Sequence, residues 1–243
     1  MIFEGEYLNG KRSGQGKEYY NYSGLKYDGK YLNGRKNGKG KEYFDGQNLL
    51  FEGKYLNGKR WNGLGYDKYG KIDFKIKDGK GKGKEYFYNG ILKFEGEYSN
   101  GERHGKGKEY NDKGRIVFEG EYFNGKRIGK GKEYDYDKLK FEGEYLNGKR
   151  NGNGKEYEYG KLKFEGEYLN DKRWNGKGYN KDGKIEFEIK DGNGKGKEYF
   201  DDDNLKYEGE YLNGKRNGKG KEYNEGKLTF EGEYLNGERR SIK

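Results

Sequence analysis

Aromatic and charged positions alternate in this chain over short runs, and the runs recur. In Phe141-Glu-Gly-Glu-Tyr145, Phe141, Gly143 and Tyr145 share one face of an extended strand and Glu142 and Glu144 the other, because successive strand side chains point to opposite sides. Leu146-Asn-Gly-Lys-Arg-Asn151 follows with Asn-Gly turn chemistry. Gly152-Asn-Gly-Lys-Glu-Tyr157 then returns as a second strand. No segment places apolar residues at a 3.6-residue period, and a glycine every few positions would cost a helix about 1 kcal/mol each. Each unit therefore predicts a β-hairpin.

The aromatic that opens a unit stands at Phe3, Tyr27, Phe51, Phe74, Phe94, Phe118, Phe141, Phe164, Phe187, Tyr207 and Phe230. The spacing is nearly constant, apart from two shorter steps, Phe74 to Phe94 and Phe187 to Tyr207. Such a fixed period marks a repeat architecture. Both short steps follow a unit holding a tryptophan, Trp61 or Trp174. WNGLGYDKYGKIDFKIKDGKGKGKEYF from Trp61 matches WNGKGYNKDGKIEFEIKDGNGKGKEYF from Trp174, so a block of units reads as duplicated whole.

Hairpin follows hairpin with few residues between, which predicts an all-β protein: one elongated, twisted antiparallel meander over residues 1–243, irregular near 74–93 and 187–206. Two strands per unit at about 4.8 Å would give a sheet on the order of 100 Å long. A glycine between two aromatics on one face leaves a slot in which a ring from the neighbouring strand or unit can lie against bare backbone. The Glu-Gly-Glu of one strand and the Gly-Lys-Gly-Lys of the next can pair across the sheet.

Composition tests this picture. Leu, Ile, Val and Phe make about 16% of the chain, and the net charge is +10, values that usually mark disorder. The 40 Tyr and Phe, however, recur in register, and each aromatic buries about 150–250 Å², so an aromatic row can replace an aliphatic core. There is no cysteine, which removes disulfide and zinc–thiolate chemistry and fits a reducing compartment. A cytoplasmic location, at a membrane or on the cytoskeleton, is the expectation. The N-terminus has no apolar signal-peptide core, and no stretch approaches membrane-spanning length. Without such a signal, Asn21-Tyr22-Ser23 reads as a chance match to the glycosylation pattern.

The pattern aromatic-x-Gly-Glu-aromatic-x-x-Gly-x-x-x-Gly-x-Gly, present as FEGEYLNGKRNGNG from Phe141 and FEGEYSNGERHGKG from Phe94, resembles the MORN repeat. The resemblance covers nearly the whole chain, in about ten units. It implies an elongated, grooved β-sheet, scaffolding, protein–protein contact and, in some members, attraction to phospholipid headgroups. The second aromatic here is Tyr where the family often has Trp, His104 alone fills the family's frequent His position before Gly, and FKIKDG and FEIKDG replace the Gly-Glu-Tyr core at Phe74 and Phe187.

Catalytic chemistry finds no support. His104 is the one histidine, placed in a hairpin turn; Ser99, five residues before it, carries no elbow motif. Asp201-Asp-Asp203 lacks the EF-hand ligand order. Glu pairs such as Glu142 and Glu144 recur in almost every unit, where an active site should occur once. GKGKGK from Gly79 and GNGKGK from Gly192 lack the Ser or Thr of a phosphate loop and read as shortened hairpins. No catalytic residue, metal or cofactor is expected.

The basic turns offer more. Lys11-Arg12, Arg35, Lys59-Arg60, Arg103, Lys126-Arg127, Lys149-Arg150, Lys172-Arg173 and Lys215-Arg216 occupy one type of turn. Alternate turns of a meander share a rim, so these cations would line one rim at about 10 Å spacing. They either keep a long sheet soluble or form a rail for anionic lipid or an acidic partner. The aromatics are committed to packing, and no nucleic-acid recognition module is present. Trp61 and Trp174 read as plugs over the irregular units or as partner anchors. The bare strand edges at the two ends predict self-association or capture by a partner. The expected function is a non-enzymatic scaffold for a protein partner, the alternative a peripheral module for anionic phospholipid.

Overall fold

The computed structural model describes residues 2–20, 24–44, 46–87, 89–200 and 204–240. Every regular element among them is a β-strand, as the two-residue alternation predicts. The chain divides into two compact units, Met1–Lys126 and Arg127–Lys243.

The first unit runs β1 (Ile2–Leu8), β2 (Lys11–Tyr19), β3 (Leu25–Leu32), β4 (Arg35–Tyr43), β5 (Leu49–Leu56), β6 (Lys59–Tyr66), β7 (Ile72–Lys77), β8 (Lys80–Tyr86), β9 (Leu92–Ser99), β10 (Glu102–Tyr110) and β11 (Ile116–Phe123). Each strand pairs antiparallel with the next. The second unit runs β12 (Lys126–Asp135), β13 (Lys138–Leu146), β14 (Lys149–Glu158), β15 (Lys161–Leu169), β16 (Lys172–Tyr179), β17 (Ile185–Lys190), β18 (Asn193–Tyr199), β19 (Leu205–Leu212), β20 (Lys215–Asn224), β21 (Lys227–Leu235) and β22 (Glu238–Arg239), paired in the same way.

The Asn-Gly turns behave as their chemistry dictates. Asn147 and Gly148 both have positive φ, 53° and 87°, the two-residue hairpin turn whose twist suits a right-twisted ladder. The turns are also tied to one another. Gly34 N–H donates to the Arg12 carbonyl at 2.9 Å, Gly58 to Lys36 at 2.8 Å and Gly125 to Arg103 at 2.9 Å; Gly148 to Arg127 at 2.9 Å and Gly237 to Arg216 at 2.8 Å repeat this in the second unit. Within each unit these turns therefore share one rim.

The two glycines that follow each basic turn have different jobs. Gly152 (φ 101°) sits in a bulge that shifts the register between the Gly143–Gly154 pair and the Tyr145–Arg150 pair; its conformation is one that side chains avoid. Gly154 leaves room for a ring. A Cβ there would lie 2.4 Å from Cζ of Phe141, and one on Gly143 would lie 2.7 Å from that atom and from the Gly154 Cα. Glycines thus face glycines across Gly131, Gly143, Gly154 and Gly166, and the Phe141 ring covers its share of the row. Tyr27 covers Gly29 and Gly40 in the first unit. The glycine between two aromatics, Gly143 or Gly29, was expected to take a ring from a neighbouring strand or unit; it lies instead under the ring of its own strand, which also reaches the facing glycine, Gly154 or Gly40, across the ladder.

The rings form the core. Phe141 meets Tyr145 edge-on at 5.8 Å and Tyr168 of the following repeat at 5.0 Å. Phe94 does the same with Tyr98 at 5.9 Å and Tyr122 at 5.2 Å. Edge-to-face contacts of this kind add about 0.5–1.5 kcal/mol each beyond area burial. Tyr27, Phe51, Phe94, Phe118, Phe141, Phe164 and Tyr207 are wholly buried. At the irregular repeats Phe74 and Phe187 stack instead on Phe51 and Phe164, at 6.3 and 6.4 Å, and buried Ile76 and Ile189 occupy the position that is glycine in the regular repeats, opposite Gly63 and Gly176.

Candidate binding surface

The basic turn pairs divide between two roles. The second member of each pair turns inward over a ring: Arg12 lies 4.3 Å from the Phe3 centroid, Arg60 4.9 Å from Phe51, Arg103 4.0 Å from Phe94, Arg150 4.1 Å from Phe141, Arg173 4.8 Å from Phe164 and Arg216 4.0 Å from Tyr207. Each also pairs with a glutamate. Arg12 binds Glu18, and Arg60 reaches Glu42 through Nε at 2.8 Å. Arg103 takes Glu85 (2.6 Å) and Glu109 (2.9 Å), and Arg216 takes Glu198 (2.6 Å) and Glu222 (2.8 Å). Arg173 binds Glu156 at 2.9 Å, Arg150 binds Glu133, and Arg127 lies 3.7 Å from Glu133.

The same glutamate commonly accepts a tyrosine hydroxyl: Tyr98 to Glu85 at 2.7 Å, Tyr145 to Glu133 at 2.8 Å, Tyr168 to Glu156 at 3.1 Å, Tyr211 to Glu198 at 2.6 Å. One repeat's glutamate is therefore clamped by the next repeat's Tyr and Arg. Burial works to raise the Glu42 pKa, but Arg60 and Lys36 outweigh it and hold the group at about 2. Glu85, Glu133, Glu156 and Glu198 are likewise held below the usual carboxylate range by their arginines, against burial. The clue in the sequence was the fixed spacing Glu133…Tyr145…Arg150, repeated as Glu156…Tyr168…Arg173; a composition-level view of basic turns passes over it.

The first members stay on the rim. Lys11, Arg35, Lys126, Lys149 and Lys215 are exposed, while Lys59 pairs with Glu102 at 2.7 Å and Lys172 reaches the Asn213 carbonyl at 3.5 Å. A leucine stands opposite four of them across the turn, Leu8 with Lys11, Leu32 with Arg35, Leu146 with Lys149 and Leu212 with Lys215, and Phe123 precedes the turn at Lys126. These leucines are exposed, Leu8 to 64% and Leu146 to 49%. The sequence reading treated them as part of the turn and missed an amphipathic rim of alternating Leu and Lys.

Trp61 and Trp174 are half-buried bulge residues. Each covers the tip of the shortened hairpin that follows: a Cβ on Gly79 would meet Trp61 Cζ3 at 2.7 Å, and one on Gly192 would meet Trp174 Cζ3 at 2.6 Å. The geometry fits the plug. Trp61→Ala should destabilise the first unit by about 1–3 kcal/mol in urea denaturation, below the cost of emptying a fully buried aromatic site. A change under about 0.5 kcal/mol, the range of ordinary surface substitutions, would leave the ring as mere surface.

His104 lies within β10 rather than in a turn, its ring 5.3 Å from Phe123. Glu142 accepts the Tyr157 hydroxyl at 2.7 Å and Glu144 the Asn153 amide at 2.9 Å. Gly79 and Gly192 sit in hairpin turns, so the two glycine–lysine runs are shortened hairpins. Among the described residues no group of three or more His, Cys, Asp or Glu is placed to hold a metal, and no helix is long and apolar enough to cross a membrane. Asn21-Tyr22-Ser23 and Asp201-Asp-Asp203 lie outside the described residues.

The face opposite the rings carries the alternate positions. In the first unit it forms an open groove of about 790 Å³, floored by the backbone of Gly29, Gly40, Gly53 and Gly63 and walled by Gln15, Asp28, Lys30, Lys39, Lys41, Glu52, Lys54 and Asn62. A repeated glycine row under a charged face is the observation that meets the comparison with known proteins. The MORN repeat family model matches residues 3–21, 27–48, 94–115, 118–139, 141–157 and 207–227, just over half of the chain.

The chain belongs to the MORN-repeat family. The matched segments are those in which a bulge glycine precedes the slot glycine. The MORN pattern lapses over 49–93 and 158–206, where Trp61 or Trp174 takes over the bulge and the turn-to-slot distance shortens by one residue. Those stretches still fold as paired strands of the same sheets. No curated protein matches the chain.

Proposed function

We propose that this MORN-repeat chain is a non-catalytic scaffold that binds a protein partner through the polar face of its sheet. The observation that supports it is the groove of the first unit. Its floor is bare glycine backbone, and its walls hold more lysine than carboxylate, whereas the opposite face is spent on packing and clamps. A photo-crosslinking residue placed at Lys41, in that groove, should yield discrete protein adducts in the native cell. Adducts absent there and from every other surface position tried would remove the scaffold reading.

The Leu–Lys rim supports a second reading, peripheral contact with anionic phospholipid at the cytoplasmic face of a membrane. Exposed leucines beside lysines suit a surface that is apolar just below and anionic just above, and each cation near such a surface adds about 1 kcal/mol. Flotation with vesicles containing phosphatidylserine should then retain the protein at low salt. Leu146→Ser combined with Lys149→Glu and Lys215→Glu should release it. Retention of that triple variant would exclude the rim.

A further inference from the structure

We propose that Lys30, Lys39 and Lys54 form a carboxylate-binding site for an acidic segment of the protein partner, a site that the second unit lacks. The proposal rests on the scaffold reading and names the chemistry of its partner.

The argument starts from a charge reversal in the repeat. The residue before the second aromatic is glutamate at Glu6, Glu97, Glu121, Glu144, Glu167, Glu210 and Glu233, but lysine at Lys30 and Lys54. In the regular hairpins this glutamate has a defined task. Its carboxylate turns over the bulge and accepts the backbone N–H nine residues on: Gln15 to Glu6 at 3.2 Å, Asn153 to Glu144 at 2.9 Å, Lys219 to Glu210 at 3.0 Å. The carboxylate lies close enough that a Cβ on Gly152 would sit 2.1 Å from Glu144 Oε2. Beside the corresponding amide, that of Lys39, a Cβ on the bulge glycine Gly38 would meet only the aliphatic stem of Lys30, at 3.4 Å. A site that its sister hairpins complete with a carboxylate of their own here has a lysine in its place, whose ammonium cannot accept that N–H.

The neighbouring strand repeats the reversal. Lys39 stands directly opposite Lys54 across the β4–β5 ladder, whereas the same row in the second unit pairs Lys130 with Glu144 and Asn153 with Glu167. Like charges placed opposite each other are destabilising. All three lysines are exposed. Among the described residues none has a carboxylate within ion-pair distance; the groove's own acids lie in the adjacent row, where Glu52 pairs with Lys41 at 3.2 Å and Asp28 stands opposite it. An incoming carboxylate on the Lys39 amide would restore the hydrogen bond of the sister hairpins and separate the three cations. Those lysines lie on three consecutive strands about 4.8 Å apart, so an extended segment crossing them could engage more than one acidic side chain.

The test uses the full chain and fluorescein-labelled hexaglutamate, read by fluorescence polarisation. K30E/K54E restores the residue found in the regular repeats and keeps the fold. It should weaken binding by about tenfold or more, while K149E/K215E, with the same change in net charge, should change it by less than about threefold. Adding E144K/N153K/E167K to K30E/K54E, which places lysine at all three corresponding positions of the second unit, should recover binding by installing the site there. Equal losses in K30E/K54E and K149E/K215E would overturn the site in favour of the general positive field. Pyrophosphate or phosphatidylserine vesicles held by these lysines more tightly than hexaglutamate would overturn the assignment to an acidic polypeptide. Hexaglutamate binding is independent of the crosslinking experiment, so loss of this site with adducts still formed at Lys41 would sink the acidic-segment proposal alone.

Discussion

Arg173→Ala should lower the stability of the second unit by about 2–3 kcal/mol. Breaking a buried ion pair by removing one partner typically costs about 3–5 kcal/mol, and the pair here is a quarter exposed, 24% for Arg173 and 26% for Glu156, which screens part of it. The arginine bonds Glu156 through Nε at 3.0 Å and Nη2 at 2.9 Å and lies against two rings, Phe164 at 4.8 Å and Phe187 at 5.9 Å. Its removal leaves the Glu156 carboxylate with the Tyr168 hydroxyl and the more distant charge of Arg150, and uncovers both rings. Urea denaturation of wild type and variant, compared at fixed m-value, measures the loss. A loss below about 0.5 kcal/mol would mean that the clamps are surface pairs of little consequence.

The same clamps set the acid response. Glu42, Glu85, Glu133, Glu156 and Glu198 titrate lower in the folded chain than in the unfolded one. A carboxylate with a depressed folded pKa contributes stability that is complete above its unfolded pKa, about 4.3, and is lost as pH falls through the folded value. The urea midpoint should therefore be flat above about pH 5 and fall between about pH 4.5 and the Glu42 value of about 2. Arg173→Ala should fall less steeply there, because Glu156 has already lost the cation that lowers it most.

The second large effect concerns the glycine row. Gly154→Ala should cost about 1–3 kcal/mol, the range for forcing an extra methyl into a packed site. The new Cβ would lie 2.4 Å from Cζ and 2.6 Å from Cε2 of Phe141, and that ring is wholly buried between Tyr145 and Tyr168. It has no open side toward which to move. Asn153→Ala, one residue away on the exposed face, keeps the backbone amide that Glu144 accepts and should change stability by less than about 0.5 kcal/mol.

What the sequence made legible follows from which features are periodic. Strand alternation and the Asn-Gly turns are written in short, repeated patterns, so the hairpins and the meeting of rings with bare glycine could be read directly, but not that Phe141 would cover Gly143 on its own strand and reach Gly154 on the next. The clamp was harder, since Glu133, Tyr145 and Arg150 are brought together only once the bulge at Gly152 has turned Arg150 back over the Phe141 ring. Lysine and arginine look alike in a count of cations. Turn position separates them: the second residue of each pair faces the rings, whether Arg150 over Phe141 at 4.1 Å or Lys36 over Tyr27 at 4.2 Å, and the first, Lys149 or Arg35, remains outside. The exposed leucines were hidden for a similar reason: Leu146 reads as one more apolar residue until the turn places it beside Lys149 in solvent. The reversal at Lys30 and Lys54 was visible in the letters, but its meaning needed the bond from Asn153 to Glu144.

A double-mutant cycle between Phe141 and Gly154 tests the packing principle most directly. Phe141→Leu shortens the side chain that lies over the glycine, so Gly154→Ala should cost at least about 1 kcal/mol less in that background than in wild type. Strictly additive losses would show that the ring does not rest on the bare backbone, and the aromatic–glycine account of this sheet would be contradicted.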